Sequence, residues 1–257
     1  MIELIGVEKR YGDTLAVASL SLRVEEGELV VLLGGSGSGK TTTLKMVNRL
    51  IEPTRGEVRV GGEDTRSLPP HALRRRIGHV FQRLGLFPHL TVAENIGVTP
   101  SLLGWDRDRI EARVTTLLDL VELDPALRHR YPDALSGGQA QRVAVARALA
   151  AEPAVLLFDE PFGALDAITR DRLQRELVRL RARLRFTAIF VTHDVVEALL
   201  LGDRIGVMRD GHLVQIGPGR DLLRAPADDY VASLIQGPLR QARAALALLE
   251  GAAEHTS

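Results

Sequence analysis

Gly34-Gly35-Ser36-Gly37-Ser38-Gly39-Lys40-Thr41 is the stretch on which the reading of this chain turns. It fits G-x-x-x-x-G-K-[ST], the phosphate-cradling P-loop. The apolar run Leu29-Val30-Val31-Leu32-Leu33 before it reads as a buried strand, and Thr42 to Leu50 after it read as a helix. Strand, glycine loop and helix form the context that the motif requires. The glycines let backbone N–H groups turn inward on phosphate oxygens. The helix N-terminus adds partial positive charge. Gly35, Ser36, Gly37, Ser38, Gly39, Lys40, Thr41 and Thr42 are therefore the expected phosphate-binding residues. Lys40 is expected to reach the β- and γ-phosphates, and the Thr41 hydroxyl to bind Mg²⁺. The bland alternative is a flexible Gly/Ser turn before a helix, which explains neither Lys40-Thr41 nor the preceding strand.

A second apolar strand, Leu156-Leu157-Phe158, ends in the two carboxylates Asp159 and Glu160. Desolvating paired acids is expensive, so a buried strand seldom ends this way without a task. Downstream of a P-loop, Asp159 can hold Mg²⁺, usually through water. Glu160 can orient and deprotonate an attacking water. The alternative is an N-cap for the next helix; Pro161 and a helix that starts only near Asp166 speak against it.

Leu135-Ser136-Gly137-Gly138-Gln139 precedes another helical pattern. Alone, it reads equally as a capping serine with two permissive glycines. Its functional reading is a second anion site, since amides and a hydroxyl at a helix start can bind a γ-phosphate.

Composition narrows the class. The chain has 257 residues, 45% of them hydrophobic and only 4% aromatic, so its core relies on Leu, Val, Ile and Ala. Lys+Arg and Asp+Glu are both 33, a balance that argues against a protein made to wrap nucleic acid. With no cysteine there are neither disulfides nor thiolate metal sites, which is compatible with a reducing cytoplasm. No apolar run approaches the roughly twenty residues of a membrane-spanning helix. Met1-Ile2-Glu3-Leu4-Ile5 lacks the basic and apolar regions of a signal peptide.

Strands are expected from Ile2 to Glu8, Ala16 to Val24 (with Ala18, Leu20, Leu22 and Val24 alternating inward), Leu29 to Leu33, Glu57 to Val60, Ile77 to Phe81, Ala154 to Phe158 and Thr187 to Thr192. Arg204 to Arg209, Asp210-Gly211 and His212 to Gly217 carry a hairpin signal. From about 88 to 150 the texture is helical, with apolar positions 110, 114, 117, 118 and 121 in register. Leu165, Ile168, Leu173, Leu177, Leu180 and Leu184 mark one face of a long helix. Strands separated by helices predict an α/β fold with a mostly parallel sheet.

Taken in order, these motifs resemble those of the nucleotide-binding subunit of an ATP-binding cassette (ABC) transporter. Tyr11 in Lys9-Arg10-Tyr11-Gly12 resembles the aromatic that stacks on adenine. Gln82 resembles the Q-loop residue, which touches Mg²⁺ and faces the membrane subunits. Ser136, Gly137, Gly138 and Gln139 match the signature motif, and Gly163-Ala164-Leu165-Asp166 resembles the D-loop. His193 resembles the switch histidine that contacts the γ-phosphate. Singly, Tyr11 reads as a packing residue, Gln82 as a solvated strand end and His193 as a cap; their joint order carries the resemblance. Gly35 stands where such importers often carry proline, and Ala140 where glutamine often follows the signature.

The resemblance implies a P-loop NTPase core with a mostly parallel sheet, an N-terminal antiparallel β subdomain and an inserted α-helical subdomain at about 88–150, all within residues 1–236. Residues 237–257 would be a C-terminal tail with no CBS domain, although many relatives carry CBS pairs. It implies ATP and Mg²⁺ as cofactors, Glu160, His193 and Lys40 as catalytic residues, and Thr41, Gln82 and Asp159 around the metal. The implied partners are a second copy in a head-to-tail dimer, transmembrane permease subunits and, indirectly, an extracytoplasmic substrate-binding protein, with no nucleic acid. The implied location is the cytoplasmic face of the cell membrane, peripherally bound.

Leu44 to Pro53, Leu84 to Ile96 and Phe162 to Arg170 further resemble the ATPases of osmoprotectant importers, which carry glycine betaine, choline, carnitine or related quaternary amines. Two other readings stand beside this one. An ABC importer ATPase for polar amino acids or methionine would carry the same motifs. A soluble ABC ATPase of DNA repair, condensation or translation would carry long coiled coils or two cassettes.

Overall fold

The computed structural model describes residues 1–238 and 240. The chain forms two sheets. The first is antiparallel, in the order β2-β1-β4-β5, from β1 (Ile2–Tyr11), β2 (Thr14–Val24), β4 (Arg55–Val60) and β5 (Glu63–Asp64). The second follows the order β10-β9-β3-β8-β7-β6. Its members are β3 (Leu29–Leu33), β6 (Ile77–Val80), β7 (Val155–Asp159), β8 (Thr187–Thr192), β9 (Arg204–Arg209) and β10 (His212–Gly217). Neighbouring strands from β6 to β9 run parallel, and β10 pairs antiparallel with β9 through Asp210-Gly211. Both turn residues have positive φ, +49° and +81°, as a two-residue hairpin requires.

β3 is buried along its whole length because both faces of its sheet are covered. Leu29, Val31 and Leu33 enter one apolar cluster, together with Phe158 and Phe190 from neighbouring strands. Val30 and Leu32 enter the other, with Leu44 and Met46 of α1 (Lys40–Val47) and the inward residues of the antiparallel sheet. Each fully buried Leu or Val stabilises the fold by about 1.5–3 kcal/mol. The loop at the end of β3 thus hangs from a fully buried strand.

Between β6 and β7 the chain leaves the sheet to form α3 (Val92–Leu102), α4 (Arg107–Leu120) and α5 (Gly137–Leu149). Their apolar faces, including Ile96, Val114, Leu117, Leu118 and Val143, are buried together. The remaining helices are α2 (Pro70–Arg75), α6 (Ala167–Leu184), α7 (Val195–Leu201) and α8 (Gly219–Arg224), and residues 229–238 are helical. No helix among the described residues is long and apolar enough to cross a membrane. The expected tail at 237–257 lies outside the described residues, except for 237, 238 and 240.

Three expectations need correction. The inward alternation of β2 does not extend to Ala18: Val17 is buried instead, and Ser19 takes a φ of +43°. Between the pairs Val7↔Leu20 and Lys9↔Val17, β2 spends one residue more than β1, so a bulge shifts the inward set. Ile168 does not share the buried face of α6; it is 84% exposed, while Leu173, Leu177 and Leu180 are buried. A step of five residues turns a helix by about 500°, which leaves Ile168 roughly 140° away from Leu173. The helix after the loop also starts earlier than expected, at Lys40, because Gly39 with φ +98° serves as its N-cap.

Candidate active site

The loop between β3 and α1 owes its path to two close approaches. A Cβ on Gly34 would lie 2.3 Å from the Met208 carbonyl oxygen, and one on Gly39 would lie 2.5 Å from that of Ala16. Gly35 is different: a Cβ there would meet nothing within 4 Å, so the position where proline is common is free to vary. Inside the loop the Lys40 ammonium donates to Gly34 O and Gly35 O, both at 2.8 Å, and to Ser38 Oγ at 3.3 Å. The first-turn amides of α1 have no intrahelical acceptor and are available to an anion. Burial pushes the Lys40 ammonium below its ordinary pKa, while Glu160 and Asp159 act to hold it up.

The two carboxylates arrive on β7, two strands from β3. The Thr41 hydroxyl donates to Asp159 Oδ1 at 2.8 Å. Burial raises the Asp159 carboxyl above the usual carboxylate range, against the Thr41 hydrogen bond and the attraction of Lys45 and Lys40. These two hard oxygens suit Mg²⁺, which takes one or two protein ligands beside phosphate oxygens and water. Among the described residues no group of three or more His, Cys, Asp or Glu gathers around a metal-sized space.

Glu160 has a φ of +44°, a left-handed conformation that is strained for a residue with a side chain. Its N–H is held by Val191 O at 3.0 Å, and its carboxylate meets two groups from elsewhere. Gln82 Nε2 lies 3.5 Å and His193 Nδ1 3.2 Å from Glu160 Oε2. Neither acid caps a helix: α6 is capped by Asp166, which accepts from Ile168 N and Thr169 N. His193 is not a cap either. Asp194 caps α7, and the buried Glu197 accepts from Thr192 Oγ1 and Gln174 Nε2, fixing the strand end from which His193 projects.

One open cleft is therefore lined by the loop from Gly35 to Thr42 together with Gln82, Glu160 and His193. Ala16, which the sequence did not single out, completes the wall. Tyr11 lies outside the walls of the cleft. It is 48% exposed at the end of β1, with Lys9 Nζ 5.0 Å from its ring centre.

Ser136, Gly137, Gly138 and Gln139 do not join the cleft. They start α5 with a reciprocal capping box: Gln139 N donates to Ser136 Oγ at 3.3 Å, and Ser136 N to Gln139 Oε1 at 2.9 Å. Gly138 packs against the start of α6, where a Cβ would come within 2.9 Å of Thr169 Cγ2.

Two residues around the segment after Gln82 escaped the sequence reading. Asn95, fully buried on α3, accepts from Phe87 N and donates to the carbonyls of Phe87, Leu90 and Thr91. Arg147, near the end of α5, donates to Leu84 O at 2.7 Å and Gly85 O at 2.6 Å. An amide on the inward face of α3 and an arginine among the alanines and valines of α5 were the available signals.

The ABC transporter family profile matches residues 17–163. The chain is 49% identical over 236 residues to a choline transport ATP-binding protein of Bacillus subtilis (strain 168), covering 91% of this chain and 62% of that protein. It is 52% identical over 231 residues to a glycine betaine uptake system ATP-binding protein of Escherichia coli (strain K12), covering 90% of this chain and 75% of that protein. Its fold resembles the dimeric structure of a post-hydrolysis state of an ATP-binding cassette bound to ADP and Pi. That match has a TM-score of 0.74 at 36% identity, and covers 85% of this chain and 98% of the other. The chain thus spans somewhat under two thirds of the length of the first of these relatives. With the loop, Glu160, Gln82 and His193 in one cleft and Asp159 bonded to Thr41 at its wall, this chain belongs to the ABC transporter family.

Proposed function

We propose that this chain is the ATP-binding and ATP-hydrolysing subunit of an importer for a quaternary amine osmolyte such as glycine betaine, choline or carnitine. The observation that carries the catalytic part is the convergence on one cleft of Lys40, Thr41, Glu160, Gln82 and His193, with Asp159 hydrogen-bonded to Thr41 at its wall. Lys40 and the loop amides bind the β- and γ-phosphates, and Tyr11 stacks on adenine from the cleft's outer side. Thr41, Asp159 and Gln82 would hold Mg²⁺, which when bound neutralises charge on the β- and γ-phosphates. Glu160 accepts the proton of the attacking water as its oxygen bonds to the γ-phosphorus and the bond to the β–γ bridging oxygen breaks. His193, 3.2 Å from Glu160, holds that carboxylate and contacts the γ-phosphate.

Ser136, Gly137, Gly138 and Gln139 act on ATP bound to a second copy. They are set apart from the loop of their own chain, and the cassette of similar fold is a dimer. The helices between β6 and β7 form the inserted subdomain. With the Gln82 segment they make a groove for short cytoplasmic helices of permease subunits. The chain then works at the cytoplasmic face of the membrane, and a substrate-binding protein outside delivers the solute. The osmolyte assignment rests on the names of the two relatives above and on the similar wording of residues 44–53, 84–96 and 162–170.

The test is ATP hydrolysis by the chain assembled with its permease and binding protein in a bilayer. Betaine, choline or carnitine should stimulate turnover. Stimulation by a polar amino acid or methionine and by none of the amines would refute the osmolyte and leave the ATPase standing.

A further inference from the structure

The guanidinium of Arg147 is half-buried, and burial lowers its pKa. No carboxylate among the described residues lies within 4.0 Å of it. A cation in such a place costs free energy unless its hydrogen bonds have work to do. Its donors go to two successive main-chain carbonyls, Leu84 O and Gly85 O, in a segment 62 or 63 residues away in sequence. Gly85, at φ +59°, allows this grip. In an extended chain successive carbonyls point in opposite directions. In a left-handed turn they point the same way, and one planar guanidinium fork can take both.

Arg147 also sits on a particular helix. α5 begins at the Ser136 cap and runs without a break to Leu149. Ten residues of helix make a rod of about 15 Å between Gly137 and Arg147. The far end of the gripped segment is Gln82, two residues before Leu84, and Gln82 Nε2 touches Glu160 Oε2 at 3.5 Å. A continuous chain of contacts therefore joins Ser136 to Glu160 within one copy: the α5 rod, the Arg147 fork, the Leu84-Gly85 turn, and the Gln82 amide.

We infer that Arg147 is a positioning residue that ties the Gln82 segment to α5, so that engagement of Ser136 on one nucleotide sets Gln82 against Glu160 at the other. The inference rests on the dimeric reading above. It gives the two composite sites a mechanical link within each chain. Arg147 is not among the residues that line the cleft of Lys40 and Glu160.

Coupling between Arg147 and Gln82 is measured by a double-mutant cycle. Steady-state ATP hydrolysis is measured for the full chain, assembled with its permease in lipid nanodiscs, as wild type, Arg147→Met, Gln82→Ala and the double variant. Arg147→Met should lower kcat by about tenfold, within the usual range for residues along such paths, and leave the KM for ATP within about twofold. The double variant should be no slower than Gln82→Ala alone, because both changes break the same link. Arg147→Lys, which keeps the charge and one donor direction, should recover part of the rate. If Arg147→Met does not fold, the cycle is run with Arg147→Lys and the same non-additivity is required. Effects that multiply, or a kcat for the Arg147 variant within twofold of wild type, would overturn the role of Arg147. A wild-type chain that hydrolyses no ATP overturns the catalytic reading itself, a result distinct from either of those.

Discussion

The two glycine-containing helix starts of this chain have opposite fates. The loop from Gly35 to Thr42 meets its chemical partners at once, because the parallel sheet places β8 beside β3 and β7 beside β8, and so brings Glu160 and His193 to the cleft and Asp159 to Thr41. Ser136 to Gln139 are folded just as well, capped and packed on α6, yet no acid or cation of the cleft reaches them. A polar, finished surface without chemistry of its own is what a half-site looks like when its other half belongs to another molecule. On the dimeric reading proposed above, the difference makes one copy a complete fold and an incomplete enzyme.

The largest expected effect lies on the loop side. Glu160→Gln keeps the shape and hydrogen-bonding reach of the side chain and removes its basicity. Hydrolysis should fall by about 10²–10⁴, the usual worth of a positioned base, while ATP binding by equilibrium titration stays near wild type. Turnover within a factor of two of wild type would remove Glu160 from the mechanism.

Next comes the segment between the two motifs. Asn95→Ala would leave Phe87 N and Leu90 O without their partner, while Phe87 O and Thr91 O keep the backbone N–H groups of Leu90 and Asn95. At about 1–3 kcal/mol per orphaned group, a loss of at least about 2 kcal/mol is expected in denaturant unfolding. A variant as stable as wild type would mean that water takes over these bonds and that the segment is not fastened to α3.

A smaller effect tests the charge buried beside the loop. Asp159→Asn keeps an acceptor for Thr41 and deletes a carboxylate whose folded pKa is raised by burial. A carboxyl raised in the folded state binds its proton more readily there than when unfolded. Its cost is absent below the unfolded pKa and develops as pH rises through the folded one. Without nucleotide, Asp159→Asn should therefore melt above wild type at neutral pH, and the gap should close as pH falls toward the ordinary carboxylate range. A gap that widens on acidification would reverse the assignment.

The smallest effect concerns the surface around the signature side. Ile168 is 84% exposed next to Asp166, on the same helix start that Gly138 packs against. Ile168→Ser should change the unfolding free energy of one copy by less than about 0.5 kcal/mol, as surface substitutions do. If the second copy covers this side, the substitution should weaken ATP-dependent dimerisation by a few fold in sedimentation; an unchanged dimer would place the contact elsewhere.

The sequence was most legible where signals are local. The loop, the paired acids after an apolar strand and the Asp210-Gly211 hairpin each announce themselves within about ten residues, and the structure has all of them. The bulge at Ser19 was illegible because it answers an opposite shift near Gly6 in β1, a matter of pairing rather than of either strand's own pattern. Ile168 was misread because an apolar residue just inside a helix was counted without its angle. β5, two residues long, is too short to carry a period. The grips of Asn95 and Arg147 were missed because their partners are backbone groups, which leave no trace in side-chain identity.

The central claim is that the loop of one copy works with Ser136 to Gln139 of another. Lys40→Ala and Ser136→Arg chains, each inactive when pure, should be mixed under conditions in which exchange of copies is verified. One composite site of a mixed dimer then carries both lesions and the other carries neither. The account predicts that ATP hydrolysis returns on mixing, toward half the wild-type rate per mixed dimer if the intact site works alone. Activity that stays at background although mixed dimers are present would contradict it, and would confine the signature to its own chain or to no catalytic role.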